Sequence, residues 1–141
     1  MAKARDTQDA RNDRRGRSAQ APRQRARRAD AARTAAWHLL AAVDEGAYAN
    51  LELPQLLRRH RLSGRDAAFA TELAYGTLRM RGLYDAVVEI AAGRPTGRID
   101  PPVLDVLRLG VHQVLGMRVP IHAAADETVA LAREVTGVGA S

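Results

Sequence analysis

The chain of 141 residues contains no cysteine. Disulfide bonds, thiolate metal sites and cysteine nucleophiles are therefore excluded within this sequence. Aromatic residues are also scarce, with one Trp, one Phe and three Tyr, so a site built on stacked bases has few side chains available. No apolar run approaches the roughly 18 residues that a membrane-spanning helix needs, and no secretory apolar segment follows Met1. We expect a cytoplasmic protein that does not bind a membrane.

Sequence motifs for catalysis and metal binding are absent as well. Gly93 and Gly97 flank a proline-containing loop with no strand before it, unlike the glycine-rich loops that hold nucleotides or methyl donors. The acidic residues form no spaced pair typical of acid–base catalysis. His122 and Asp126 are one helical turn apart, but a metal site normally needs three ligands and nothing brings His112 close. We therefore expect no catalytic residue, no cofactor and no metal in this chain.

The positive charge is concentrated at the N-terminus. Residues 1–33 contain eleven Lys/Arg and four Asp, a net charge of +7, whereas residues 34–141 contain eleven Lys/Arg and twelve Asp/Glu, a net charge of −1. The first segment has no Val, Ile, Leu, Phe, Tyr or Trp, so it cannot bury enough apolar surface to offset the entropy of ordering. We predict a disordered Arg-rich tail over residues 1–28 and a helical domain over residues 29–141.

The composition of this tail indicates an electrostatic RNA anchor. Ten of the eleven cationic residues in residues 1–33 are arginines, and guanidinium can bind a phosphate with two hydrogen bonds or stack on a base. Their irregular spacing favours phosphate contact over an amphipathic membrane helix. A solubilising leader and an Arg-rich transit peptide are the alternatives, and the four aspartates of residues 1–33 oppose the second. The arginines best placed to bind RNA, because they adjoin the folded part, are Arg23, Arg25, Arg27, Arg28 and Arg33.

Beyond the tail the apolar spacing predicts helices and no strand. We expect Gly46 and Gly93 to end the first and fourth helices, and Asn50 and Ser63 to cap the second and third. The run Arg58-Arg59-His60-Arg61 is interpreted as the end of the second helix, where cations favour the dipole. The predicted inward faces of the four helices are Trp37, Leu40 and Val43; Leu53, Leu56 and Leu57; Phe69, Leu73, Gly76 and Met80; and Leu83, Val87, Ile90 and Ala91.

Two further helices are predicted around a proline break. Asp100 can cap a helix whose first turn holds Pro101, and Pro120 cannot continue that helix. Their predicted inward faces are Val103, Val106, Leu107, Gly110, Val111 and Val114 in the fifth helix, and Ala125, Val129 and Ala132 in the sixth. Six helices within about 108 residues predict an all-α bundle.

A glycine in the middle of the third predicted helix indicates a close helix crossing. Gly76 costs about 1 kcal/mol relative to alanine in a helix, so we interpret it as the place where another helix approaches. Arg79 follows one turn later, and an ion pair with Glu72 is favoured for it over a contact with phosphate.

Three segments carry a resemblance to a known family. Leu-Arg-Leu-Gly-Val-His-Gln-Val-Leu from Leu107 and Pro-Ile-His-Ala-Ala-Ala-Asp-Glu-Thr-Val-Ala-Leu-Ala-Arg from Pro120 resemble the NusB-like RNA-binding domain. This domain is shared by the antitermination factor NusB and the N-terminus of ribosomal RNA cytosine-C5 methyltransferases of the RsmB (Sun) type. Gly-Arg-Asp-Ala-Ala-Phe-Ala-Thr-Glu-Leu-Ala-Tyr-Gly-Thr-Leu-Arg from Gly64 resembles the methyltransferase branch. The resemblance covers residues 29–136.

The resemblance implies a NusB-like bundle that binds ribosomal RNA through its basic N-terminal region and first helix. It also implies a parent enzyme that transfers a methyl group from S-adenosylmethionine to C5 of a cytosine in small-subunit rRNA. The Rossmann-like catalytic domain and the family's last helix are missing, so we expect the front part of such an enzyme or a truncated product. The alternatives are an antitermination adaptor that binds RNA and a ribosomal protein, and a fragment without function.

Overall fold

A computed structural model describes residues 29–137, and within them it contains six α-helices, one 3₁₀-helix and no strand. The predicted all-α bundle of six helices is therefore confirmed. No helix in the described part is long and apolar enough to cross a membrane. The predicted tail, residues 1–28, lies outside the described residues. The helices are α1 (Ala31–Asp44), α2 (Ala49–Arg59), α3 (Gly64–Arg79), α4 (Arg81–Ala92), the 3₁₀-helix (Thr96–Arg98), α5 (Pro101–Leu115) and α6 (Ile121–Thr136).

Helix α1 lies at the centre of the bundle and packs against α2, α3 and α5. Its side chains at Ala32, Ala35 and Ala36 are buried, and such small side chains allow neighbouring helices to approach closely. Leucines supply most of the apolar area between the helices. The buried apolar core consists of Ala36, Leu39, Leu40, Leu53, Leu56, Leu73, Ala74, Val106, Leu109 and Leu131.

The predicted helix ends that depend on a glycine or a proline are confirmed. Gly93 follows α4 in the left-handed conformation, with φ of 67°, as the predicted stop requires. Pro101 is the first residue of α5, as predicted. The predicted caps are less accurate: Asn50 lies inside α2, and the Ser63 and Asp100 side chains form no capping hydrogen bond. Backbone preferences are local, whereas a cap requires a particular side-chain rotamer.

The predicted inward face of α5 is wrong, because the helix presents a largely polar side to the core. Within the predicted face only Val106 is fully buried, and the other members are partly exposed. Four polar side chains lie on the inward side and each finds a hydrogen-bond partner within the bundle, so their burial is tolerated. The buried residues of α5 are Leu104, Asp105, Val106, Arg108, Leu109, His112 and Gln113.

The predicted α5 face instead lines an open apolar groove with α4 and α6. The groove has a volume of about 440 Å³, and its residues include Val87, Leu107, Val111, Ala125 and Val129. The predicted faces of α4 and α6 are also largely turned away from the core: Val87, Ala125 and Val129 line this groove, and of the α6 face only Ala132 packs against the core. Leu83 and Ile90 are 53% and 84% exposed. The core takes Tyr84 and Val88 from α4, and Ala124, Glu127, Ala130 and Leu131 from α6.

A buried polar network joins α1, α4 and α5. The Arg108 guanidinium donates to both carboxylate oxygens of Asp85, at 2.6 and 2.9 Å, and to Asp105 at 2.9 Å. Asp44, at the end of α1, accepts from Arg81 at 2.6 Å and shares a hydrogen bond with Asp105. Burial, and then the hydrogen bond with Asp44, raise the pKa of Asp105 to about 7. The protonated Asp105 carboxyl can therefore donate to Asp44 near neutral pH.

Asp105 is expected to make the stability of the fold depend on pH. Its pKa rises from about 3.9 in the unfolded chain to about 7 in the fold, so the folded state holds the proton more tightly. The resulting stabilisation is complete below the unfolded pKa and is lost as pH rises through the folded one. In Asp105→Asn the amide can still donate to Asp44, and the side chain no longer titrates.

The free energy of unfolding of Asp105→Asn, measured by urea titration, should therefore improve relative to the parent chain as pH is raised. The comparison is made at about pH 5 and about pH 8, which lie on either side of the folded pKa. A difference between the two proteins that stays constant over this range would contradict the raised pKa.

Candidate nucleic-acid interface

The five predicted RNA-binding arginines fall on both sides of the tail boundary. Arg23, Arg25, Arg27 and Arg28 lie outside the described residues. Arg33 lies in the first turn of α1, where Asp30 is the N-cap and accepts a hydrogen bond from the Arg33 amide at 2.8 Å. Arg33, at the beginning of α1, is therefore the one predicted RNA-binding arginine that the structure describes.

The Arg33 guanidinium is held inside the bundle. Its Nε donates to Gln113 Oε1 at 2.7 Å, and its Nη1 forms an ion pair with Asp30. Nη1 also lies 4.0 Å from Glu127 Oε2, and the guanidinium carbon lies 4.8 Å from the centre of the Phe69 ring. The side chain is 13% exposed. This geometry favours a role in fixing α1 against α3, α5 and α6 over a free contact with phosphate.

A concavity of about 290 Å³ lies beside the start of α1. One wall is the first turn of α1 with Asp30 and Arg33, and the other comes from the end of the α2–α3 connection and the first turns of α3. Two arginines and two aspartates line it, so its charge is balanced. The tail therefore joins the body beside the α2–α3 connection. The lining residues are Asp30, Ala31, Ala32, Arg33, Leu62, Arg65, Asp66 and Phe69.

The glycine predicted to mark a helix crossing does so, and the crossing residue is His112 of α5. A Cβ at Gly76 would overlap the His112 ring at Nε2 and Cε1. His112 Nδ1 lies 2.6 Å from the Tyr84 hydroxyl, and Nε2 lies 3.4 Å from Glu72 Oε1. Arg79 pairs with Glu72 at 3.7 Å, as predicted. Since His112 and Tyr84 are 2% exposed, this cluster is structural.

No group of three or more metal-ligating side chains is found among residues 29–137. His122 is exposed on the first turn of α6, whereas His112 is buried against α3 and α4. The three residues considered in the sequence, His122, Asp126 and His112, are therefore not gathered into one site.

Sequence reasoning did not consider the basic α2–α3 connection as a surface feature, because it interpreted the run from Arg58 to Arg61 as a helix end. The signal was the absence of any acidic residue between Glu52 and Asp66. In the structure Arg58, Arg59 and Arg61 are exposed, and Arg65 lines the concavity at the start of α1.

Comparison with known proteins identifies the family. The family model described as the NusB family matches residues 30–141, which include all six helices. The chain belongs to the NusB family. The six-helix bundle is thus a NusB-family fold. The matched region begins at residue 30, the N-cap of α1. No solved structure matches the chain with statistical significance.

Curated relatives are much longer than this NusB-family chain. A protein of Mycobacterium tuberculosis (strain H37Rv), named as a candidate methyltransferase, is 57% identical over 106 residues, which are 74% of this chain and 23% of the relative. The ribosomal RNA small subunit methyltransferase B of Thermus thermophilus is 41% identical over 96 residues, covering 68% of this chain and 24% of the relative. The enzyme of that name from Pseudomonas putida is 36% identical over 101 residues. The chain spans about a quarter of their length.

Proposed function

We propose that this NusB-family domain is the RNA-binding module of a small-subunit ribosomal RNA cytosine-C5 methyltransferase. The observation that carries the proposal is the family match, combined with the names of the longer relatives. The excess of positive charge in residues 1–33 supports a polyanionic partner. The module contributes affinity and orientation, and a catalytic domain outside this chain binds S-adenosylmethionine and transfers the methyl group. Such an enzyme works on ribosomal RNA in the cytoplasm.

Within this proposal the arginines divide into two roles. Four arginines of the tail contact RNA phosphates, because guanidinium binds phosphate strongly. They are Arg23, Arg25, Arg27 and Arg28. Arg33 supports them from inside the bundle. Its bonds to Asp30 and Gln113 fix the first turn of α1, and this sets the direction in which the tail leaves the body.

Removing residues 1–28 should reduce RNA affinity and flatten its dependence on salt. Each phosphate neutralised on a single strand contributes about 0.7 to the slope of log affinity against log salt. The deleted segment has ten Lys/Arg and three Asp, so it carries all of the chain's excess positive charge. Fluorescence anisotropy with labelled small-subunit rRNA fragments, over a series of salt concentrations, measures both quantities. An unchanged slope in the shortened chain would refute the role of the tail.

The second candidate is a regulatory adaptor of the antitermination type, which would bind RNA together with a ribosomal protein. The NusB family match supports it equally well, whereas the methyltransferase names of the relatives oppose it. Pull-down with purified small-subunit ribosomal proteins separates the two. A stable complex with one ribosomal protein would favour the adaptor.

A further inference from the structure

The α2–α3 connection, defined as residues 58–65 so that it includes the last two residues of α2 and the start of α3, carries four arginines that form no salt bridge within the described part of the chain. Arg58, Arg59, Arg61 and Arg65 are exposed, and no Asp or Glu occurs between Glu52 and Asp66. Among residues 29–137, no carboxylate forms a salt bridge with any of these four arginines. Among the other arginines of residues 29–137, carboxylates pair with Arg33, Arg79, Arg81 and Arg108. Salt bridges are absent there also at Arg94, Arg98, Arg118 and Arg133, so the four clustered arginines differ from these in lying together beside the start of α1.

The backbone at Arg61 has a conformation that costs folding energy. Its φ is 55°, in the left-handed region that favours glycine. The Arg61 amide donates to the Arg58 carbonyl at 3.1 Å, and the Leu62 amide donates to the Leu57 carbonyl at 2.8 Å, so the turn closes α2 tightly. A residue with a Cβ in this conformation costs roughly 1 kcal/mol. Arg118, on the α5–α6 connection, has the same conformation with φ of 57°, so it is the position with which the Arg61 side chain can be compared.

This basic connection runs along α1 from the point where the tail joins. Arg65 and Leu62 line the same concavity as Asp30 and Arg33. One turn further along α1, the His38 ring lies 5.6 Å from the His60 ring. Burial lowers the pKa of His38, the positive fields of His60 and Arg59 lower it further, and the Glu134 carboxylate of α6 raises it. The start and the outer side of α1 are therefore bordered by the cations of the α2–α3 connection.

We propose that the α2–α3 connection is a second RNA contact, in which Arg58, Arg59, Arg61 and Arg65 bind phosphates of the strand that the tail holds. The inference rests on the proposed function and deepens it by placing part of the RNA path on the folded body. Guanidinium groups on a fixed turn bind the phosphate backbone, whatever the base sequence. The tail then supplies long-range attraction, and the connection supplies a site of defined geometry.

Arg61→Gly separates binding from folding, because glycine suits the backbone while the cation is lost. In the full chain we expect an unchanged or higher melting temperature and a roughly two- to fivefold loss of affinity for a short single-stranded rRNA oligonucleotide. The salt slope should fall by about 0.7. Arg118→Gly is the matched control, because Arg118 is exposed with φ of 57° but lies on the α5–α6 connection. Its affinity should stay close to that of the parent chain.

A pair of double variants of equal charge completes the test. Arg58→Ala/Arg59→Ala should weaken RNA binding, and Arg94→Ala/Arg98→Ala, on the exposed α4–α5 connection, should not. Equal losses in both pairs, or in Arg61→Gly and Arg118→Gly, would overturn the inference and leave a general charge effect. A parent chain that binds RNA while the α2–α3 variants bind equally well overturns this inference alone. A parent chain that ignores RNA even in dilute buffer overturns the proposed function as well.

Discussion

Replacing Gly76 with alanine is expected to destabilise the domain by about 3 kcal/mol, because the added methyl group has no space. It would overlap the His112 ring, which is also confined by Gly116 and bonded to the Tyr84 hydroxyl. The ring must move, and the hydrogen bond that joins α4 to α5 must stretch or break. Chemical denaturation followed by circular dichroism measures the loss.

Gly82→Ala is the matched control for this prediction. Gly82 lies in the first turn of α4, and nothing lies within 4 Å of the position that its Cβ would take. Alanine there should stabilise the domain by a few tenths to about 1 kcal/mol. In a His112→Ala background the cost of Gly76→Ala should largely disappear, since the obstructing ring is gone. The same large cost in that background would show that His112 is not the cause.

Replacing Arg108 with methionine should destabilise the domain by about 3–5 kcal/mol, the usual effect of removing one partner from a buried charge cluster. Methionine keeps much of the apolar stem, so the loss reports on the charge. The Arg108 side chain is 6% exposed, and its removal leaves Asp85 and Asp105 without their shared donor. The free energy of unfolding near neutral pH is the quantity to measure.

Arg81→Met tests whether burial, rather than the ion pair itself, sets this effect. Arg81 pairs with Asp44 at 2.6 Å, the distance also found between Arg108 Nε and Asp85. The Arg81 and Asp44 side chains are 38% and 28% exposed, and exposed pairs contribute at most about 1 kcal/mol. Similar losses in the two variants would mean that burial of the Arg108 cluster has little energetic importance.

The sequence was sufficient for features that depend on local backbone chemistry. Gly93 and Pro101 mark helix boundaries because their backbones restrict or permit particular conformations. Gly76 marked a crossing because a mid-helix glycine has a propensity cost that close packing can offset. The inward face of α5 could not be predicted in this way. Apolar spacing favours the side that lines the groove, whereas the true inward side includes four polar side chains, whose burial depends on hydrogen-bond partners, several of them on other helices.

At the candidate site, too, local features could be predicted from the sequence and long-range contacts could not. Charge counting predicts an RNA-binding tail without any structural information, because it depends on composition alone. The position of the Arg33 guanidinium depends on Gln113, eighty residues later in the chain, and no local pattern signals that contact. The α2–α3 arginines had a local signal, the stretch without acids, but dipole stabilisation at a helix end explained it equally well. Their clustering beside the start of α1, where Arg65 lines the concavity with Asp30 and Arg33, supports the proposed contact, and a local sequence pattern does not contain that placement.

Trp37, the single tryptophan of the chain, gives the domain a built-in optical reporter. Its indole Nε1 donates to the Pro102 carbonyl at 3.0 Å, so the ring connects the middle of α1 to the first turn of α5. The ring is half-buried, so the wavelength and intensity of its emission should change when α1 and α5 separate and water reaches it. Detachment of the helix that leads into the arginine tail can thus be followed by intrinsic fluorescence, with no attached dye.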